Sequence, residues 1–440
     1  MLENQLGICR QIATVYDYAT VCEYDRQNPR LGGLALRIAT CLVLAFCVLS
    51  QVACTPKIQA PQEQTASRAQ PGSLYSIEPV GGYPTYVLRA LIWWQGLAQK
   101  FPVENGVSLY RLRYWTSGPD GKATVASGLV ALPRVARLRG VVSFQHGTAS
   151  ERVSAPSTPD PQNGVLAAAA FAGRGYLLVA PDYVGLGTSD AAHPYLHAAT
   201  EASAVIDLLH AARGVVTAAG LAWPRALLLV GFSQGGHATL ATQRALEATP
   251  AEGFLVRAAA PIAGPFDLAG FSFPDALKGR AESASLYLAY LTNAYAIIYA
   301  ESLSSALREP YAQKVPGLFD GMHDGASIIG ALPRNPREMF RDEFLQSFAN
   351  GQHNWLRERL VENGLNEWSP RAPIRLYYGD LDLDVSPKEA ALDAERLQAR
   401  GGNARAVSVG AYDHDQSVLE AVPYIVKWFD ELTASDVSAR

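Results

Sequence analysis

The chain has 440 residues, of which 49% are apolar and 18% charged. That composition excludes a wholly disordered or collagen-like polypeptide and allows one large domain or two or three small ones. The 37 basic and 41 acidic residues leave a net charge of −4, so no basic excess is available to hold a nucleic-acid backbone.

All five cysteines, Cys9, Cys22, Cys41, Cys47 and Cys54, fall at the N-terminal end. The rest of the chain therefore has no disulfide scaffold, no cysteine-ligated zinc and no cysteine nucleophile. Residues 38–54 read IATCLVLAFCVLSQVAC, an uncharged apolar run preceded by Arg30 and Arg37, with a small residue at Ala53. These are the parts of a secretory signal. Cys54 directly after Ala53 resembles a bacterial lipoprotein signal, in which that cysteine is lipidated, although Gln51 stands where an aliphatic or small residue is usual. The expectation is a protein of the bacterial cell envelope, lipid-anchored at Cys54 and facing the periplasm or exterior. The alternatives are soluble secretion and an uncleaved anchor, the run lying near the lower limit of roughly 17–25 residues for a span. Residues 1–33 are long for an n-region and their charges cancel, so a start near Leu31 or Leu34 is one expectation. Residues 55–72 (TPKIQAPQEQTASRAQPG) hold almost no large apolar side chain and read as a flexible tether. The expected division is a leader over 1–53, a linker over 54–74 and a body over 75–435.

The body alternates short apolar runs with helical stretches, the pattern of a mostly parallel sheet flanked by helices. Strands are expected over 108–116, 123–132, 140–144, 176–180, 226–230, 256–262, 374–378 and 406–409. Runs such as VVSF and ALLLV fit strands covered on both faces, whereas the first two alternate and fit an antiparallel hairpin at the sheet edge. Helices are expected over 164–172, 198–212, 234–247, 387–398 and 417–432. Residues 265–371 break the rhythm, with no convincing strand, helical stretches over 284–303 and 337–349, and many aromatics. They read as an insertion between two strands. Tyr287, Tyr290 and Tyr295 recur at helical spacing, so some should face the core and others a site.

The strongest motif is Gly231-Phe232-Ser233-Gln234-Gly235, placed between the strand ALLLV and a helix. In that setting G-x-S-x-G is a nucleophile elbow, a sharp turn that lifts the serine hydroxyl above the sheet. A mere N-cap serine would want an acidic or amide residue three positions on, where Gly236 stands. A serine hydroxyl needs a base, and the base an orienting carboxylate. His414, in the loop after the last strand, fits the base better than His237, His210, His193, His197, His323 or His353. For the acid, Asp380, Asp382 and Asp384 alternate after the strand IRLYY. Asp382 has the interval usual for G-x-x-D-x-x-V loops, with Asp384 and then Asp380 behind it; any of the three could instead be a turn-forming residue. Oxyanion donors are expected at the backbone N–H of Gln234 and, in the loop Gln145-His146-Gly147-Thr148, at Thr148 N–H, with Gly147 next. His146 reads as structural. No phosphate-cradling glycine loop and no HExxH occurs, so no cofactor and no metal are expected.

The elbow GFSQGG, the HG loop, APDYVGLGTSD (180–190) and GDLDLDVSP together resemble the α/β-hydrolase superfamily. HPYLHA (193–198) narrows the resemblance to the secretory lipase family and related bacterial esterase-lipases, over roughly 75–435. The resemblance implies an α/β-hydrolase fold, a triad on Ser233, Asp382 and His414, and a helical cap inserted after the sixth strand, which fits 265–371. One departure is the cysteine-free body, since fungal secretory lipases carry disulfides. The reading is a serine carboxylic ester hydrolase acting on a small-molecule or lipid ester. The rivals are a serine peptidase of the prolyl-oligopeptidase type and a surface-displayed binding protein with a relic triad. The first usually carries a large propeller or an acidic pair for the peptide N-terminus, and neither is apparent.

Overall fold

Continuous apolar runs make the inner strands and alternating ones the outer strands. In the computed structural model, which describes residues 69–158, 163–250 and 253–438, they join one sheet in the order β1-β2-β3-β5-β4-β6-β7-β8-β9. The strands are β1 (Leu74–Tyr83), β2 (Val107–Ser117), β3 (Ala123–Pro133), β4 (Val141–Gln145), β5 (Leu177–Pro181), β6 (Ala226–Phe232), β7 (Leu255–Ile262), β8 (Ile374–Tyr378) and β9 (Ala404–Ser408). β1, β2 and β3 pair antiparallel, β3 pairs antiparallel with β5, and from β5 to β9 the sheet is parallel.

The described helices of eight residues or more are α1 (Thr85–Trp94), α2 (Asn163–Ala170), α3 (Ala198–Ala218), α4 (Gln234–Ala248), α5 (Ala284–Ile298), α6 (Tyr311–Leu318), α7 (Asp342–Ala349), α8 (Trp355–Glu362), α9 (Pro387–Ala399) and α10 (His414–Ser438). Helices α3, α4 and α9 cover one face of the sheet, and α1, α2 and α10 the other. The two-residue period of the strands feeds both layers. On β6, Leu227 and Leu229 enter the first and Leu228 and Val230 the second. Residues 265–371 contribute α5 to α8 and a third apolar core of their own, which also takes in Tyr195 and Leu196. Among the described residues no helix is long and apolar enough to cross a membrane.

Several expectations shift. Strand β1 and helix α1 were not legible. β1 carries Pro79 and the pair Gly81-Gly82, which read as a turn, but at a sheet edge a proline costs no ladder bond, and the register slips between Pro79 and Gly81. The β2–β3 hairpin is antiparallel as expected, yet β1 covers it, so it is not the edge. With β1 counted, the insertion follows the seventh strand. The last strand begins at Ala404, α3 runs on to Ala218, and α5 ends at Ile298. The stretch expected as one helix over 337–349 divides into a short 3₁₀ turn (Pro336–Met339) and α7, because Phe340 is drawn into a bridge with Leu307. The expected leader with Cys54, and most of the linker, lie outside the described residues. At their near end Gly72 N–H already donates to Trp115 O at 2.8 Å.

The β6–α4 junction is the tightest part of the fold. Ser233 has φ 56° and ψ −118°, a conformation that side chains rarely adopt. A Cβ on Gly231 would stand 2.1 Å from Gly235 O, and one on Gly235 would stand 1.9 Å from Gln145 O. Glycine at both positions lets the turn close and lets α4 start against the end of β4. The strain at Ser233 is directly measurable. Ser233→Ala and Ser233→Gly both lose the hydroxyl, but only glycine relieves a backbone cost of about 1–3 kcal/mol, against a loss of about 0.4–1 kcal/mol through the unfolded chain. Denaturant unfolding should find the glycine variant more stable, by about 1 kcal/mol; an alanine variant of equal or greater stability would contradict a strained elbow.

Candidate active site

Three loops at the C-terminal ends of strands meet above the sheet. β6 delivers Ser233, the turn after β8 delivers Asp382, and the loop after β9 delivers His414, which is the first residue of α10 rather than a loop residue. His414 Nε2 lies 2.9 Å from Ser233 Oγ, and His414 Nδ1 lies 2.7 Å from Asp382 Oδ2. The carboxylate can only accept from Nδ1, so Nε2 is left to accept the serine proton. Ser233 and His414 are each 6% exposed and Asp382 3%, which keeps bulk water from competing for these bonds. Phe232 packs on the His414 ring with centroids 4.7 Å apart.

The three aspartates of GDLDLDV separate by position. Asp382 Oδ1 accepts from Asp384 N and Val385 N, both at 2.9 Å, so the turn holds one oxygen while His414 takes the other. Asp384 instead accepts from Ser283 Oγ at the N-terminal end of α5, and Asp380 accepts from Ser408 Oγ on β9 at 2.8 Å. Burial disfavours the His414 imidazolium, but the hydrogen bond and charge of Asp382, together with Asp384 and Asp415, outweigh it. The net effect raises the His414 pKa above 6.5.

The Ser233 side chain does not cap α4. Among the described residues, no acceptor takes the backbone N–H of Gln234, Gly147 or Thr148. The loop of the latter two is held from below. Tyr183 OH donates to His146 O at 3.2 Å, and the His146 ring nitrogens lie 2.7 Å from Gly147 O and 3.3 Å from Asp182 O. Asp182 is a fully buried carboxylate that accepts from Ser127 Oγ at 2.6 Å, Ser157 N at 2.8 Å and Ser157 Oγ. Burial pushes the Asp182 pKa up and that of His146 down. Thr148 Oγ1 bonds Tyr195 OH at 2.8 Å, and Tyr195 stacks on Tyr290 at 4.5 Å.

A pocket opens beside Ser233. Leu268, Phe273, Leu288 and Leu291 make its apolar wall, while Asp275, Asp384 and Glu389 bring carboxyl groups. Of the insertion's Tyr287, Tyr290 and Tyr295, the first lines the pocket, whereas the other two are core. Glu389 Oε1 accepts from Phe266 N at 2.8 Å, Asp267 N at 3.0 Å and Ser272 Oγ at 2.5 Å. Burial and the charge of Asp393 push the Glu389 pKa up, against the three hydrogen bonds it accepts. No group of three or more His, Cys, Asp or Glu among the described residues is placed to hold a metal. Sequence reasoning missed Asp182, Tyr195, Glu201 and Glu389. Nothing local marked Glu201 or Glu389 for burial, since α3 also carries Asp207 and α9 also carries Asp393 and Glu395.

Known proteins fit this arrangement. A secretory lipase family model matches residues 152–253. No curated protein sequence matches the chain significantly. The structure is similar to a candidate hydrolase from Legionella pneumophila, with a TM-score of 0.77 and 27% identity over 82% of this chain and 98% of that one. It is similar to the rice cell wall degrading esterase LipA from Xanthomonas oryzae in a ligand-bound form, with a TM-score of 0.73 and 28% identity over 83% of this chain and 99% of that one. Candida antarctica lipase A in its closed state shares the fold, with a TM-score of 0.61 and 14% identity over 86% of each chain. The chain is an α/β-hydrolase that resembles the secretory lipase family and related bacterial esterases.

Proposed function

We propose that the protein is a serine carboxylic ester hydrolase working through an acyl-enzyme on Ser233. The observation that carries this reading is the hydrogen-bonded chain from Ser233 through His414 to Asp382, at 2.9 and 2.7 Å, with untaken backbone N–H groups beside it. Ser233 Oγ attacks the acyl carbonyl while His414 Nε2 takes its proton. The oxyanion receives hydrogen bonds from the N–H groups of Gln234 and Thr148. His414 then protonates the leaving alcohol, and the same imidazole activates the water that releases the acid from Ser233. Asp382 fixes the tautomer and stabilises the imidazolium. The esterase and lipase names of the relatives support ester chemistry. The apolar wall of the pocket suits an acyl chain, and Asp275 and Asp384 disfavour an anionic substrate.

On the same reading residues 1–53 are a leader, Cys54 is the lipid attachment point, 54–74 a linker, and 75–435 the hydrolase with its cap over 265–371. Such a protein is exported and held at a membrane, where it meets a small-molecule or lipid ester. The secretory name of the matching family supports export.

Ser233→Ala should lower p-nitrophenyl acyl ester turnover roughly 10⁴-fold or more; unchanged hydrolysis would refute the nucleophile. Wild-type enzyme should cleave that ester and leave a peptide amide of matched acyl group intact, and a preference for the amide would favour the peptidase. The pH dependence has a defined sign. His414 must be neutral to act as base and its pKa is raised, so kcat/KM should rise with pH through a midpoint above 6.5. Asp415→Asn removes one of the raising charges and should move that midpoint down; an upward shift would contradict the assignment.

A further inference from the structure

Behind the elbow lies a buried polar cluster to which the reaction above assigns no part. Glu201 on α3 and His237 on α4 are in contact, His237 Nδ1 lying 2.6 Å from Glu201 Oε2, with side chains 1% and 0% exposed. His237 Nε2 lies 3.0 Å from Asn363 O, at the end of α8 where the insertion returns to the core. A carbonyl has no proton to give, so Nε2 carries one, and the Nδ1···Oε2 contact holds another.

The other Glu201 oxygen, Oε1, accepts from Gln234 Nε2 at 3.1 Å. The second proton on that nitrogen points to His193 Nε2 at 2.9 Å. His193 Nδ1 in turn donates to Val184 O at 2.7 Å, which leaves Nε2 free to accept. Burial pushes His193 down to about 4, so the ring is neutral. Gln234 Oε1 has no partner among the described residues. Its amide is therefore fixed through the NH₂ alone, by two buried acceptors.

Gln234 is also the residue whose backbone N–H stands untaken beside Ser233. The fold has placed a carboxylate and an imidazole where apolar side chains would cost less, and both converge on the arm of that residue. We infer that Glu201 is a positioning residue for the oxyanion site, acting through the Gln234 side chain, with His237 and the Asn363 carbonyl as its brace. This rests on the ester-hydrolase reading. A donor amide stabilises a developing oxyanion only if it is already aimed. The Gln234 arm and the Ser233 turn fix that peptide from both sides, and Asn363 ties it to the insertion through its bond to Tyr299 OH at 3.0 Å.

The test compares Glu201→Ala with Glu201→Gln in the full chain. Glutamine keeps an acceptor for Gln234 and can donate to His237 Nδ1, so every bond of the cluster survives without the charge. On p-nitrophenyl butyrate, Glu201→Ala should lower kcat on the order of 10–100-fold, short of the 10²–10³ for outright loss of an oxyanion donor. KM should stay within about threefold, and Glu201→Gln should restore kcat to within about threefold, as expected where hydrogen bonds and not charge set the geometry. Affinity for phenylboronic acid, whose serine adduct is tetrahedral, should fall with kcat. A kcat within threefold of wild type in Glu201→Ala overturns the inference, as does a loss confined to KM, or equal damage in both variants. If Glu201→Ala does not fold, Gln234→Met removes the arm and leaves the pair, and the same kcat loss is expected; retained kcat overturns the inference. Failure of the ester-hydrolase reading looks different: wild type itself would not turn over, or Ser233→Ala would.

Discussion

The backbone of Ser233, held at φ 56° between β6 and α4, is the constraint on which the rest of the molecule depends. Such a conformation costs about 1–3 kcal/mol and survives only where its surroundings over-determine it. Here they do. Ser233 N–H donates to Ile262 O on the neighbouring strand at 2.8 Å, and α4 begins so close to β4 that Gly235 has no room for a side chain. One strained residue thus fixes three things at once: where the hydroxyl points, where the Gln234 amide points, and how near the His146–Thr148 loop approaches. Of the other described non-glycine residues with positive φ, Tyr183, Leu196 and Ala263 also stand at strand ends or against the pocket, while Ala300 follows the end of α5.

Charge burial follows from the same geometry. Strands that end together above a sheet leave backbone N–H and C=O groups unpaired, and the fold fills that layer with buried polar side chains. The Asp182 side chain ties β3 to Ser157, and Glu201 with His237 binds the elbow helix to α3 and to the returning insertion. Each group is costly alone and tolerable only when fully partnered. These bonds hold the layer around Ser233, while much of the pocket beside it is lined by the insertion, whose apolar core also takes in Tyr195 and Leu196.

The elbow was legible because it is local: strand, two glycines, serine and helix occupy one stretch of chain. His414 and Asp382 were legible from their order and loop positions, and the structure brings both to Ser233. Strand β1 was not, since its Pro79 and double glycine imitate a turn and only an edge position tolerates them. The Glu201–His237 pair was not either. Nothing in the sequence says that a glutamate on α3 and a histidine on α4 face each other, because that depends on how two helices pack. The insertion tyrosines show the same limit: spacing put them on helical faces, and packing alone decided that Tyr287 meets the pocket while Tyr290 and Tyr295 do not.

We take Ser233 to be the nucleophile, aimed and activated by the fold. Fluorophosphonate labelling followed by peptide mass mapping tests that most directly. One stoichiometric adduct is expected, on the elbow peptide at Ser233, formed rapidly by wild type and far more slowly by His414→Ala. An adduct on a different residue, or an enzyme that hydrolyses esters at full rate with Ser233 unlabelled, would contradict it.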